Sequence, residues 1–134
     1  WAFRPKRRCL KKWSPQLGAS LAPRKVLPYT ESLCWHDESI YYANHFSPSS
    51  QGASILRWKP GDAESKAVAG RGARVTGVND LGSFCKVSVS PEGIIFVVDS
   101  HKRRLLSFRN GSGKVVLRDV AMRSVFCAPN REGL

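Results

Sequence analysis

Several features that would mark a membrane protein or a zinc-binding domain are missing from this sequence. No run approaches the roughly 18–20 consecutive apolar residues of a membrane span. None resembles a signal peptide, because the N-terminal region is basic and lacks an apolar core segment. The four cysteines form no Cys-x-x-Cys pair, which disfavours a zinc knuckle. The sequence therefore indicates no membrane span and predicts no particular compartment.

Carboxylates are also scarce. The 134 residues include 22 Lys and Arg but only 10 Asp and Glu, which gives a formal net charge of +12. Such an excess points to an anionic partner, namely a nucleic acid, an acidic protein or a membrane surface. Two basic clusters are the candidate contacts, and they comprise Arg7, Arg8, Lys11 and Lys12 near the start and His101, Lys102, Arg103 and Arg104 further on. For the first cluster, a nuclear-localisation or phosphate-binding patch and a solvated strand face both stay open.

The strongest pattern lies between residues 83 and 120, where four short β-type runs alternate with turn signals. The runs are rich in β-branched and aromatic residues, which pack well on a pleated surface. The turns Pro91-Glu92-Gly93 and Asn110-Gly111-Ser112-Gly113 supply the residues that tight hairpins need. The stretch is predicted to be a four-stranded antiparallel meander that stacks against another sheet, because one sheet cannot bury both of its faces.

The same pattern also occurs earlier in the chain. The matching segments are Ser32–Trp35 with Ser83–Lys86, Ile40–Asn44 with Ile95–Asp99, Ile55–Trp58 with Leu105–Phe108, and Lys66–Val68 with Lys114–Val116. Repeats of about 40–50 residues with four strands each are typical of a β-propeller. The predicted fold is therefore all-β, a partial β-propeller with two complete four-stranded antiparallel blades and parts of two others.

These repeats resemble a known family. The segments Val68-Ala69-Gly70, Asn79-Asp80-Leu81, Gly93–Ser100 and Arg104–Phe108 follow the order and spacing of an NHL-repeat blade, and the resemblance covers residues 31–120. The sequence departs from the family pattern where Phe84 and Lys86 replace the usual Pro and Gly, and where Lys102-Arg103 replaces Asn-His. The resemblance implies a propeller that exposes loops and a polar channel mouth for binding.

The repeat divides the chain into four parts. Residues 1–30 form a basic segment that ends a preceding blade, residues 31–70 a blade, residues 71–120 a blade with its leading loop, and residues 121–134 the start of a truncated blade. The length suffices for one domain with a modest core but not for a closed propeller. We therefore expect a slice of a longer protein, which needs the remaining blades of the same chain and is marginally stable alone.

Three cysteines fall at similar places in the repeats. Cys34, Cys85 and Cys127 each follow Leu or Phe at the start of a predicted first strand. Recurrence at one blade position predicts small, buried packing residues rather than metal ligands.

The function favoured by these observations is a non-enzymatic binding scaffold without a cofactor or a catalytic residue. The expected partner is a protein. An anionic partner such as RNA, contacted through the basic clusters, is an alternative.

A second family leaves room for catalysis. Residues 30–44 are similar to the first blade of gluconolactonase-like lactonases, six-bladed propellers in which a glutamate holds a divalent metal. The similarity implies Glu31 and Asn79 as ligands of Ca²⁺ or another divalent metal, whose preferred donors are oxygens. It departs from the family at Ser32-Leu33, which replaces the Gly-Pro beside the glutamate. A metal-dependent hydrolase or lyase is therefore the alternative function.

Overall fold

The computed structural model of the chain describes residues 2–4, 9–11, 30–44 and 52–128, and these are all-β. No helix capable of crossing a membrane occurs among them. The first strands pair as a small hairpin, β1 (Ala2–Arg4) with β2 (Cys9–Lys11). A four-stranded sheet follows, which we call the first sheet: β3 (Thr30–His36), β4 (Ser39–Asn44), β5 (Ser54–Trp58) and β6 (Lys66–Gly70).

The second sheet contains the predicted meander and one further strand. Its members are β7 (Thr76–Gly77), β8 (Cys85–Val89), β9 (Ile95–Asp99), β10 (Arg104–Arg109) and β11 (Ser112–Arg118). Strands β8 to β11 are antiparallel neighbours in chain order, as predicted, and the short β7 pairs parallel to β11 at the far side. The all-β meander is confirmed, while the segment predicted as a leading loop contributes an edge strand.

The two sheets share one register over their last three strands. Tyr41 lies opposite Arg57 in the first sheet, just as Phe96 lies opposite Ser107 in the second. The pairing register between the third and fourth strands also shifts at the same place, beside Ile55 in one sheet and Leu105 in the other. These segments are therefore structural equivalents, as their sequences predict.

The prediction for the first strands is wrong. Cys34 lies opposite Tyr41, and the residue opposite the equivalent Phe96 is Ser88, not Cys85. The register differs because the two residues 37–38 connect β3 to β4, whereas residues 90–94 connect β8 to β9. Cys85 is buried, but Cys34 is only half-buried, and Cys127 is half-buried outside any strand. The three thiols are free, and they do not occupy one repeated position.

The main core lies between the two sheets. Ala43, Ile55 and Ala69 of the first sheet face Val97 and Leu106 of the second, and all five are fully buried. Burial of one large aliphatic side chain stabilises the fold by about 1.5–3 kcal/mol, so this interface holds the sheets together.

The neighbouring first strands are joined by a polar bridge. The Val87 N–H donates to Ser32 Oγ at 3.0 Å, which ties β8 to β3. Strands β3 and β8 are therefore neighbours across the interface between the two sheets.

The segment after β11 runs back across the second sheet. The Val120 N–H donates to the Arg103 carbonyl at 3.2 Å, and the Cys127 N–H donates to Ser88 Oγ at 3.1 Å. Residues 121–128, predicted to begin another blade, contain no strand. The rest of that prediction, residues 129–134, lies outside the described part of the chain.

Candidate anion-binding groove

The predicted binding loop is tied to the protein's own carboxylates. Lys102 Nζ lies 2.7 Å from Asp80 Oδ2, and Arg104 Nη2 lies 3.0 Å from Asp80 Oδ1 and 3.1 Å from Asp99 Oδ2. The Arg104 side chain is only 10 % exposed. His101 and Arg103, by contrast, are exposed at the same turn. We call this end of the stacked sheets, which carries Asp80 and residues 99–104, the loop edge. Its cations Lys102 and Arg104 link the loop that contains Asp80 to the turn between β9 and β10.

Asp99 is the centre of the loop edge. Its carboxylate is fully buried and accepts hydrogen bonds from the Gly82 N–H at 3.1 Å and from Arg104 Nε at 3.2 Å. The Lys102 N–H donates to its second oxygen at 3.4 Å. Asp99 therefore acts as a structural acceptor for the backbone of two loops, at Gly82 and at Lys102.

The charges of the loop edge also alter nearby pKa values. Hydrogen bonds from Lys102 and then Arg104 lower the pKa of Asp80 from 3.8 to about 2. Burial, and to a lesser extent the negative charge of Asp99, raises the pKa of the Cys85 thiol. Cys85 therefore stays protonated and is suited to packing rather than to nucleophilic chemistry.

Of the two residues suggested for a metal site, only Asn79 has a described side chain. The Asn79 amide is engaged by the main chain, because its Oδ1 accepts from the Gly70 N–H at 2.6 Å and its Nδ2 donates to the Gly70 carbonyl at 3.0 Å. In this way Asn79 caps the open edge of β6 much as a neighbouring strand would. The Glu31 side chain lies outside the described residues, as do Arg7, Arg8 and Lys12, and Lys11 is described only as backbone. Within the described part of the chain, no three His, Cys, Asp or Glu residues are grouped as metal ligands would be.

A second group of cations lies at the opposite end of the sheets, which we call the hairpin edge because the β3–β4, β5–β6, β8–β9 and β10–β11 turns lie there. The two sheets separate at this edge and leave a groove of about 540 Å³. Three exposed cations line it, namely Arg57, Lys66 and Arg74. Its apolar floor is formed by the buried Tyr41 and Phe108 and the half-buried Val68 and Ile95.

Strand pairing brings two of these cations together. Arg57 on β5 lies directly opposite Lys66 on β6, so both side chains project from the same face of the first sheet. Like charges at directly opposite positions are destabilising. Among the described residues, no carboxylate forms an ion pair with Arg57, Lys66 or Arg74. The groove therefore holds a local excess of positive charge that an anionic ligand would relieve.

The third cation is positioned by the β10–β11 turn. Asn110 and Gly111 form this two-residue turn with φ values of 48° and 72°, the left-handed conformation that tight hairpins require. The Thr76 N–H donates to the Gly111 carbonyl at 2.9 Å, and the Ala73 N–H donates to the Gly70 carbonyl at 3.2 Å. These bonds hold the segment that carries Arg74 across the mouth of the groove.

Sequence inspection missed this group because its members are isolated along the chain at positions 57, 66 and 74. One signal was present: Ile55 and Arg57 are two residues apart on one predicted strand, so they share the face that packs on the second sheet. No protein-family model and no curated protein matches this chain, so its function is inferred from the sheets and the groove themselves.

Proposed function

We propose that this chain is a non-enzymatic binding module, part of an NHL-type β-propeller, whose partner is a protein with an acidic surface. The observation that carries the proposal is the groove at the hairpin edge, where Arg57, Lys66 and Arg74 surround an apolar floor without an ion-pair partner among the described residues. Loops and edges of a rigid scaffold are where binding groups are displayed.

The propeller part of the proposal is supported by how the sheets repeat. Two sheets with equivalent second, third and fourth strands stack face to face, and their first strands are neighbours. Successive blades of a propeller stack in this manner around a central axis. Stacking against further blades would also cover apolar side chains such as Val116 and Leu117, which are 43 % and 46 % exposed.

RNA binding is the second candidate, favoured by the net charge of +12. Single-stranded nucleic acids are held by a cationic surface together with aromatic rings on which bases stack. The two aromatic rings of the groove, Tyr41 and Phe108, are only 8 % and 2 % exposed, so neither presents a face to a base. A metal-dependent activity has less support, because the Asn79 amide oxygen already accepts a hydrogen bond from the Gly70 N–H.

The proposal is tested by titrating the chain with fluorescent glutamate-rich peptides, lysine-rich peptides and a single-stranded RNA at about 50 and about 200 mM salt. We expect the glutamate-rich peptides to bind, with affinity that falls as salt rises, because exposed ion pairs are screened. Absence of glutamate-peptide binding at low salt would overturn the proposal. Tighter binding of RNA than of peptide at the higher salt concentration would replace it with the nucleic-acid alternative.

A further inference from the structure

We infer that the groove selects acidic peptides that carry an apolar side chain among their carboxylates, with the apolar group on the groove floor and the carboxylates on its cationic wall. This inference rests on the proposed function and names the chemistry of its partner. It follows because the groove combines an apolar surface with a cationic one. Val68 and Ile95 are half-buried beside the buried rings of Tyr41 and Phe108, whereas the three cations of the groove are exposed.

The floor distinguishes this site from a simple patch of surface charge. A purely anionic ligand would pair with the wall but leave apolar side chains in contact with water, whereas an aliphatic side chain would remove that surface from water. Burial of apolar area contributes about 25 cal/mol per Å². A groove of about 540 Å³ is large enough for one side chain together with its flanking main chain. An aliphatic residue therefore adds affinity that charge alone does not supply.

The wall is suited to pair with the carboxylates of such a peptide. Arg57 and Arg74 each offer a planar fork of donors that matches a carboxylate, and Lys66 adds a point charge. Because Lys66 lies directly opposite Arg57, one carboxylate placed between them relieves their mutual repulsion. Arg74 comes from the segment after β6 and is left to pair with a second carboxylate of the same peptide.

The test uses two peptides that differ at one position, a glutamate-rich peptide with a central Leu and the same peptide with a central Ser. Affinities are measured by fluorescence anisotropy for the wild-type chain and for three variants. The groove variant R57S/K66S/R74S removes three cations from the wall. The control variant K114S/R118S/R123S removes three exposed cations that do not line the groove. The floor variant Ile95→Thr keeps a β-branched residue but introduces a hydroxyl.

For the wild-type chain we expect the Leu peptide to bind about tenfold more tightly than the Ser peptide. The groove variant should bind both peptides roughly tenfold or more weakly, while the control variant should lose much less, since both carry the same net charge. The floor variant should reduce the preference for Leu without abolishing binding. Circular dichroism and thermal melting establish that each variant is folded.

Three outcomes would overturn the inference. One is equal affinity of the wild-type chain for the two peptides, which would mean that the floor is not used. Another is an equal loss of affinity in the groove and control variants, which would mean that net charge alone governs binding. The third is an undiminished preference for Leu in Ile95→Thr. Each of these leaves the proposed binding function standing, whereas absence of binding to either peptide by the wild-type chain overturns that function.

Discussion

The cations at the two edges of the stacked sheets differ in whether they have ion-pair partners. At the loop edge, Lys102 and Arg104 are neutralised by Asp80 and the buried Asp99, at distances of 2.7–3.1 Å. At the hairpin edge, Arg57, Lys66 and Arg74 have no such partners in the described part of the chain. Two members of a basic run in the sequence therefore belong to the scaffold, while cations scattered along the chain form the surface suited to an anion.

The loop edge should be the more costly to disrupt. Asp99→Ala removes a fully buried carboxylate and leaves Arg104 without its deepest partner and the Gly82 N–H without an acceptor. Breaking a buried ion pair by removing one member costs roughly 3–5 kcal/mol. We expect a loss of this size in the free energy of unfolding, measured by urea denaturation. A loss no larger than that of the exposed control Asp62→Ala would contradict the structural role of this network.

A smaller loss is expected from a steric change at the same edge. A Cβ atom added at Gly82 would lie 2.6 Å from Asp99 Oδ1 and 3.0 Å from His101 Cβ. Gly82→Ala must therefore displace the carboxylate, and overpacking of this kind costs about 1–3 kcal/mol. Denaturation of Gly82→Ala, compared with Ser83→Ala at the adjacent exposed position, measures the effect. Equal stability of the two variants would show that Asp99 can move without cost.

Much of the sheet architecture was predictable because it is set by local chemistry. The β-branched runs of Ile95–Asp99 and the turn at Asn110-Gly111 each specify their own conformation. Aligning the first strands by their cysteines is wrong because the β3–β4 and β8–β9 connections differ in length. Amino-acid composition does not reveal a shift in strand register. The groove escaped prediction because its cations meet only through pairing between strands and across sheets.

The pH dependence of the loop edge gives a third and weaker effect. Because the pKa of Asp80 is lowered to about 2 in the folded chain, its ionised form stabilises the fold. This contribution is complete above the unfolded pKa near 3.8 and is lost as the pH falls from there towards about 2. The Asp80 side chain is 70 % exposed, and solvent screening limits its two ion pairs to roughly 1 kcal/mol or less.

This dependence is measured by NMR titration of the Asp80 carboxyl group and by comparing wild type with Asp80→Asn across the pH range. The stability difference between the two chains should be constant near neutral pH and should shrink below about 4. A midpoint for the carboxyl group near 3.8 or higher would mean that Lys102 and Arg104 do not hold Asp80 in solution.

The smallest expected effect has the opposite sign, because the hairpin edge should gain stability when its charge is balanced. Lys66→Glu converts the like-charged pair with Arg57 into an oppositely charged pair across two strands. Such pairs contribute roughly 0.2–1 kcal/mol, so we expect a modest rise in the free energy of unfolding. The same change should weaken binding of glutamate-rich peptides, because it removes a cation from the groove and adds a carboxylate.

The second sheet provides a matched control for this change. Lys114 is the structural equivalent of Lys66, but it lies opposite Ser107 rather than an arginine. Lys114→Glu therefore makes the same change in net charge on an exposed strand without relieving a like-charged pair. If stability rises in Lys66→Glu but not in Lys114→Glu, repulsion between Lys66 and Arg57 destabilises the fold. A site that keeps both cations then loses stability in return for binding. Equal effects in both variants would instead attribute the gain to the lower net charge of the whole chain, and the distinction between the two edges would lose its energetic basis.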